Sequence, residues 1–231
     1  MNDIQCIGVI IDGNRRWAKA KGLASWQGHR AGYRTFKKFL EWSQEAGVKC
    51  VVAYVFSSEN WNRAKDEVSY LMRLLTRLLK SDLTQLKKNH MRLRVLGARS
   101  RLPATIQRLV ERAEEETKLY KKYTLALAIS YGGRDEIIHA VNELLAQQKQ
   151  QHMAAELITQ EIFAAHLWSA GIPDPDLIIR TSGEMRLSNF LPWQSVYSEL
   201  FFPKMFWPDF TKEEFLQILD EYRARQRRFG K

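Results

Sequence analysis

The stretch Ile7-Gly8-Val9-Ile10-Ile11, followed at once by Asp12-Gly13-Asn14-Arg15-Arg16-Trp17, decides the fold. A short apolar run that stops in charged and small residues reads as a strand buried on both faces and then a loop. The pattern recurs three times. Cys50-Val51-Val52-Ala53-Tyr54-Val55-Phe56 runs into Ser57-Ser58-Glu59-Asn60-Trp61-Asn62-Arg63. Leu125-Ala126-Leu127-Ala128-Ile129 runs into Ser130-Tyr131-Gly132-Gly133-Arg134, and Leu177-Ile178-Ile179 into Arg180-Thr181-Ser182-Gly183-Glu184. Residues just past the carboxyl ends of parallel strands converge on one crevice, where open α/β sheets bind ligands. Clusters rich in Arg, Gly and hydroxyls suit an anion such as phosphate or diphosphate.

Helical spacing fills the intervals. A helix is expected over 28–46, with Phe36, Phe39, Leu40 and Trp42 on its apolar side and Gly47 ending it. A long amphipathic helix is expected over 66–89, where Val68, Leu71, Met72, Leu75, Leu78, Leu79, Leu83 and Leu86 recur at three and four. A strand over 91–96 leads to a helix opened by Pro103 and running to about 119, whose Glu114-Glu115-Glu116 reads as a solvated face. Helices follow over 133–148 and near 159–168, then a strand over 176–181 and a last helix over 211–227. The expected architecture is α/β: one domain over 1–231, with a mainly parallel central sheet of about six strands covered by helices.

With 231 residues and 45% hydrophobic content the chain can bury one sizeable core. No apolar run approaches the roughly 20 residues that span a bilayer, and no signal-peptide layout precedes Arg15, which points to the cytosol. Cys6 and Cys50 fit that compartment as buried thiols. The net charge of +10 implies an anionic partner. Its distribution is informative: Gly13–Leu40 holds no acidic residue but contains Arg15, Arg16, Lys19, Lys21, Arg30, Arg34, Lys37 and Lys38. Further basic stretches run from Lys87 to Arg101 and from Arg223 to Arg228.

Familiar catalytic devices are missing: there is no P-loop, no G-x-G-x-x-G, no nucleophile elbow, and no metal-ligand spacing among the five histidines. A carboxylate at a strand end, Asp12, could hold Mg²⁺, a hard cation that takes oxygen ligands and substrate phosphates. Gly13 allows close backbone approach, and Asn14, Arg15 and Arg16 can donate to phosphate oxygens. The same residues also make an ordinary strand-to-helix turn. At its open strand end, Asp12 is expected to need no partner for stability. Two arginines, Arg180 and Arg186, beside a buried strand end are costly unless anions pair with them.

The motifs Asp12-Gly-Asn-Arg-Arg-Trp-Ala18, Gly28-His29, Phe56-Ser-Ser-Glu-Asn-Trp-Asn-Arg63, Tyr131-Gly-Gly-Arg134, Asp176-Leu-Ile-Ile-Arg-Thr-Ser-Gly-Glu184 and Arg186-Leu-Ser-Asn-Phe190 resemble those of the cis-prenyltransferases. Trp193-Gln194, Glu199-Leu200, Trp207-Pro208 and Arg227-Arg-Phe-Gly230 extend the likeness, which covers nearly the whole chain in family order. Bacterial undecaprenyl diphosphate synthases are the nearest in pattern.

The resemblance implies sequential cis condensation of isopentenyl diphosphate onto an allylic diphosphate such as farnesyl diphosphate, with Mg²⁺ as cofactor. It implies that Asp12 and Asn60 are catalytic, Asn60 by orienting a group or relaying to diphosphate oxygen. Gly13, Asn14, Arg15, Arg16, Trp17, Ser25 and His29 would line the allylic diphosphate site, and Ser57, Ser58, Glu59, Trp61 and Arg63 would continue its wall. Arg180, Arg186, Leu187 and Ser188 would hold isopentenyl diphosphate. Asp12 and Glu199 would serve the metal, with Glu199 and the tail residues Arg228 and Gly230 completing a site across a homodimer. The helices over 28–46 and 66–89 would wall an apolar tunnel for the growing chain. The product would pass to the membrane from a cytoplasmic enzyme that is at most peripheral to it.

Ser25 stands where the family has an Arg, Met185 where bacterial relatives have His, Ala64 where Pro is usual and Ser130 where Asn is usual. Val55 and Ile129 are bulkier than the family's frequent Ala, and tunnel-facing side chains there would shorten the product. The aromatic run over 190–210 is expected to mark the dimer interface. The alternatives are a shorter-chain synthase, an inactive partner subunit of a heteromeric enzyme, and a basic nucleic-acid-binding module; the last lacks any recognition motif.

Overall fold

The computed structural model describes residues 4–151 and 157–225. Six strands, β1 (Cys6–Ile10), β2 (Cys50–Ser57), β3 (Met91–Leu96), β4 (Tyr123–Tyr131), β5 (Leu177–Arg180) and β6 (Glu199–Phe201), form one sheet in the order β3-β4-β2-β1-β5-β6. Every pairing is parallel. The sheet grows from β1 toward β2 on one side and β5 on the other, so the chain reverses direction across the sheet at β1. Ligand crevices open outside the carboxyl ends of strands at such a switch point, and Asp12 lies just beyond it.

Alternation along the strands builds two cores. Ile7 and Val9 of β1, Val51 and Ala53 of β2, and Leu125, Leu127 and Ile129 of β4 share one face. Helices α2 (Ser25–Glu45), α3 (Lys65–Arg77), α4 (Leu83–Lys88), α5 (Ala104–Thr117) and α8 (Lys212–Ala224) supply buried side chains to that core. Cys6, Val52, Tyr54, Ala126 and Ile178 face the other way, against Phe190 and Leu191. The thiols of Cys6 and Cys50 are free and buried, side by side in register. A hydrogen bond between them, followed by burial, raises Cys6 well above the usual thiol range, which keeps it inert.

The structure adds four details to the sequence reading. A short helix, α1 (Asn14–Ala20), begins directly after Gly13, inside the segment read as a loop. The long helix expected over 66–89 is α3, then a π-helical turn Leu78–Asp82, then α4; Leu75, Leu78, Leu79, Leu83 and Leu86 are buried along it nonetheless. Strand β6 is three residues at the sheet edge, too short to carry a period. The acidic run on α5 is not simply solvated, because Glu114 accepts from the Val95 amide at 2.8 Å and from Arg99.

The aromatic run is corrected only in part. Phe190, Phe201, Trp207 and Phe210 fill the protein's own core, where Trp207 meets Phe39 edge-on at 5.5 Å. Tyr197 and Val196 within the run are exposed, and a second exposed apolar surface lies on helix α6 (Gly133–Gln151), where Ile138, Val141 and Leu145 form a stripe. Helix α7 (Gln160–Ala164) is shorter than the sequence suggests. Among the described residues, no helix is long and apolar enough to cross a membrane.

Candidate active site

Outside the carboxyl ends of β1, β2, β4 and β5 lies a cavity of about 1160 Å³. Its rim is polar, with Asp12, Gly13, Asn14, Arg15, Arg16, Ser25, His29, Ser57, Glu59, Asn60, Arg63, Arg180 and Ser188. Its interior is apolar, lined by Phe36, Val55, Leu71, Leu75, Leu78, Leu127 and Ile129. Three of the four strand-end clusters therefore meet in one crevice. The fourth works beneath it. Ser130 accepts a hydrogen bond from Trp61 Nε1 at 2.9 Å, and Tyr131 donates to buried Glu136 at 2.5 Å.

Asp12 is the most heavily engaged residue of the rim. Its Oδ1 accepts from the Gly13 amide at 2.7 Å and lies 3.2 Å from Arg16 Nη2. Its Oδ2 accepts from Arg180 Nη2 at 2.9 Å. Burial would raise the Asp12 pKa, but the Arg180 hydrogen bond and the charges of Arg16 and Arg180 outweigh it, and the net shift is downward. Asp12 thus does have a structural partner, contrary to the expectation from its open strand end: Arg180 is itself 5% exposed and would be left as a buried charge. Gly13 has φ +103°, and a Cβ there would lie 2.3 Å from Ser182 Oγ, so only glycine makes this turn.

Arg180 also donates to the Arg186 carbonyl at 2.6 Å and to Ser188 Oγ at 2.7 Å. These bonds hold a loop in which Ser182, Ser188, Asn189 and Leu191 all adopt positive φ. Left-handed backbone at non-glycine residues costs roughly 1–2 kcal/mol each and persists where surrounding contacts fix it. Asn189 supplies further contacts: its carbonyl accepts from the Gly133 amide and its side chain from the Arg134 amide, at 2.8 and 2.9 Å. Asn60 sits in a 3-10 helix, Ser58–Asn62, and accepts from the Ser57 amide at 3.2 Å.

Glu67 joins the cavity wall to the rim. It accepts from Arg63 at 2.9 Å, pairs with His29 Nε2 at 3.1 Å and lies 3.7 Å from Arg15. Burial lowers the His29 pKa, and the Glu67 hydrogen bond only partly opposes it. Burial raises Glu67, but His29, Arg63 and Arg15 pull it below the usual carboxylate range.

Other predicted residues lie off the cavity lining. Trp17 donates to Asp209 at 2.6 Å, Trp61 stacks edge-on with Phe56, and Leu187 packs on the far core. Ser58 lies close to Gly132, and exposed Arg186 pairs with Glu184 at 2.5 Å. Glu199 is in register with Leu177 and thus with Ile7, at the amino end of the sheet. That places it five residues, or roughly 16 Å along the strand direction, from the level of Asp12. Glu199 pairs with Arg225 at 2.7 Å. Arg228 and Gly230 lie outside the described residues.

The donor set can be tested against Mg²⁺. Among the described residues, no cluster of three His, Cys, Asp or Glu side chains could hold a metal by itself. Mg²⁺ commonly binds through one or two carboxylates plus substrate phosphates and water. Asp12 beside a guanidinium-rich rim fits that mode, a cation carried in with a diphosphate.

Residues 10–230 match a family model described as "Putative undecaprenyl diphosphate synthase". This chain belongs to the undecaprenyl diphosphate synthase family of prenyltransferases. The isoprenyl transferase of Thermotoga maritima is 45% identical over 98% of this chain and 96% of its own length. That of Fusobacterium nucleatum is 46% identical over 97% and 94%. Among solved structures, lavandulyl diphosphate synthase from Lavandula x intermedia in complex with dimethylallyl diphosphate matches with a TM-score of 0.94 and 34% identity, covering 99% of each chain. A "probable undecaprenyl diphosphate synthase" from Campylobacter jejuni matches at 0.83 and 35% identity over 100% of each.

Two residues of this prenyltransferase escaped the sequence reading. Glu67 stands four residues after Arg63, across the start of α3, a spacing of opposite charges that could have flagged it. Asn189 stands within the motif Arg186-Leu-Ser-Asn-Phe190, but no role is legible there, because its partners Gly133 and Arg134 are distant in sequence.

Proposed function

We propose that the chain is one catalytic domain that condenses isopentenyl diphosphate units, with cis geometry, onto an allylic diphosphate such as farnesyl diphosphate. The product is a long-chain polyprenyl diphosphate, such as the undecaprenyl carrier used for cell-wall polysaccharide. The observation that carries this reading is a guanidinium-lined rim set directly on an apolar cavity of about 1160 Å³. An amphiphile with an anionic head and a hydrocarbon tail fits both halves.

Breaking the allylic C–O bond leaves negative charge on the departing diphosphate. Arg15, Arg16 and Arg63 hold that charge in place with fixed donors, and the Gly13 turn lets the chain approach it closely. Asp12 would hold Mg²⁺, which, when bound, further neutralises the leaving group. The short helix containing Asn60 positions its amide at the cavity wall, where it orients the attacking isopentenyl group. Arg180 fixes Asp12 and the Ser188 loop, and with Arg186 forms the side on which isopentenyl diphosphate sits. His29 stays neutral beside Glu67 and donates or accepts without adding charge. The apolar interior shields the carbocation-like carbon from water.

The enzyme acts as a homodimer in this reading. The stripe of Ile138, Val141 and Leu145 on α6 offers the surface, and Glu199, remote from Asp12 in its own chain, serves the partner's site. The setting is cytoplasmic, with the product passing to the membrane. The test is incubation with labelled isopentenyl diphosphate, farnesyl diphosphate and Mg²⁺, followed by sizing of the products. Extended cis products are expected, and absence of any transfer would overturn the reading.

A further inference from the structure

Outside the crevice, one surface combines exposed aromatic and basic side chains. Helix α2 carries Trp26, Arg30, Arg34 and Lys37, all exposed, along a single outward stripe. Trp26 is 46% exposed, and its ring packs 6.1 Å from Tyr70 on α3. The Arg73 guanidinium lies 5.4 Å over the Tyr70 ring, and exposed Arg77 follows one turn later. The Trp26–Tyr70 contact therefore joins the outward faces of the two helices into one patch.

Its charge is one-sided. Glu67 and Asp82 are already engaged, the first by His29 and Arg63 and the second by Tyr33 and Lys37. The exposed carboxylates Asp66 and Glu41 stand at opposite ends of the patch, near the start of α3 and the end of α2. The cavity reaches this surface as well. Leu23, itself exposed, lines it together with Leu71 and Leu74. An apolar interior thus opens beside an indole and a phenol flanked by arginines.

Trp and Tyr favour the headgroup level of a bilayer, and clustered Arg and Lys are drawn to anionic lipid. We propose that the outward face of α2 and α3 around Trp26 and Tyr70 is a docking surface for an anionic lipid bilayer, seating the mouth of the cavity against the headgroups. This deepens the proposed function, in which a long polyprenyl diphosphate leaves the cavity for an apolar phase. The aromatic pair is tilted by 54° and offers no flat stacking platform, and it borders an apolar opening; both features favour a bilayer over nucleic acid.

The experiment is flotation of the full chain with vesicles of phosphatidylcholine alone or mixed with phosphatidylglycerol, at low and high salt. Binding should be at least about tenfold stronger to the anionic vesicles and should fall with salt. The triple substitution Arg30→Glu, Arg73→Glu, Arg77→Glu should abolish the preference, and Trp26→Ser with Tyr70→Ser should weaken binding to both. Lipids brominated in the acyl chain should quench wild-type tryptophan emission more than that of Trp26→Phe. Equal binding to neutral and anionic vesicles would overturn the proposal. So would quenching that Trp26→Phe leaves unchanged, or retention on single-stranded DNA with vesicles left unbound. Turnover in vesicle-free buffer is measured in parallel and should be unchanged in these variants. Wild-type protein that binds anionic vesicles yet transfers no prenyl group would overturn the enzymatic reading and leave the surface standing.

Discussion

Asp12 and Arg180 meet across the β1–β5 ladder, where Arg180 stands opposite Ile10 and its Nη2 donates to Asp12 Oδ2 at 2.9 Å. The same guanidinium holds the Arg186 carbonyl and Ser188 Oγ, so one buried cation links the metal-binding candidate to the loop over 182–191. Removing one partner of a buried pair leaves an uncompensated charge and costs about 3–5 kcal/mol. Asp12→Ala is therefore expected to abolish turnover and to destabilise the fold by roughly 3 kcal/mol, read from urea midpoints. Asp12→Asn combined with Arg180→Met should recover most of the stability and none of the activity. A wild-type midpoint in Asp12→Ala would show that the pair contributes nothing.

Stability should fall in acid in two stages. His29 is lowered by burial, so below about pH 6.5 the unfolded chain takes up a proton that the folded chain does not. Stability contributed by the neutral imidazole is thus complete above that pH and declines beneath it. Asp12 and Glu67 are lowered as well, by Arg180 and by His29 with its neighbouring arginines, and their contributions are lost at lower pH, below about 4. Urea midpoints measured between about pH 5 and 8 should fall toward acid, and His29→Gln should flatten that limb. A stability that rises on acidification through this window would contradict the assignment.

The crevice was legible in the sequence because buried parallel strands announce themselves as apolar runs and their carboxyl ends must converge. What the sequence withheld depends on register. Nothing local says that Arg180 stands opposite Ile10, or that Glu199 aligns with Leu177 at the far end of the sheet. The Tyr131-Gly132-Gly133 turn reads as one more rim cluster, yet it supports the site from beneath. A Cβ on Gly133 would lie 1.9 Å from Pro192 Cδ, and buried Glu136 anchors Tyr131. The aromatic run over 190–210 is divided for a related reason: composition cannot tell buried Phe190, Phe201, Trp207 and Phe210 from exposed Tyr197.

The exposed stripe on α6 carries the dimer prediction. Ile138 and Leu145 are 60% and 57% exposed, with Val141 between them on the same face. Ile138→Glu with Leu145→Glu should convert a dimer to monomer, read by sedimentation, with the fold intact because neither side chain is in the core. If Glu199 serves the partner's site, mixing Asp12→Asn with Glu199→Ala subunits should restore part of the activity lost in each. No recovery after demonstrated subunit exchange would exclude a shared site.

Product length is the last prediction, and it turns on a bulge. In the β2–β4 ladder Tyr54 pairs with Ala128 and Phe56 with Ile129, so Val55 has no partner on β4. The irregularity breaks the alternation: Val55 and Phe56 both contact the core under α2 and α3, on the face that Ile129 shares. Val55 and Ile129 both line the cavity, beside Phe36 and Leu75. Close-packed walls resist even one added methylene, at roughly 1–3 kcal/mol. Val55→Ala and Ile129→Ala should each shift the products toward longer chains, and the double variant further. Ile129 is fully buried, so its truncation will also cost about 2–5 kcal/mol of stability. The distribution of product lengths is the right readout, because it depends on the ratio of elongation to release in the folded fraction and not on how much protein is folded. Unchanged lengths in the double variant would place the limit elsewhere along the cavity.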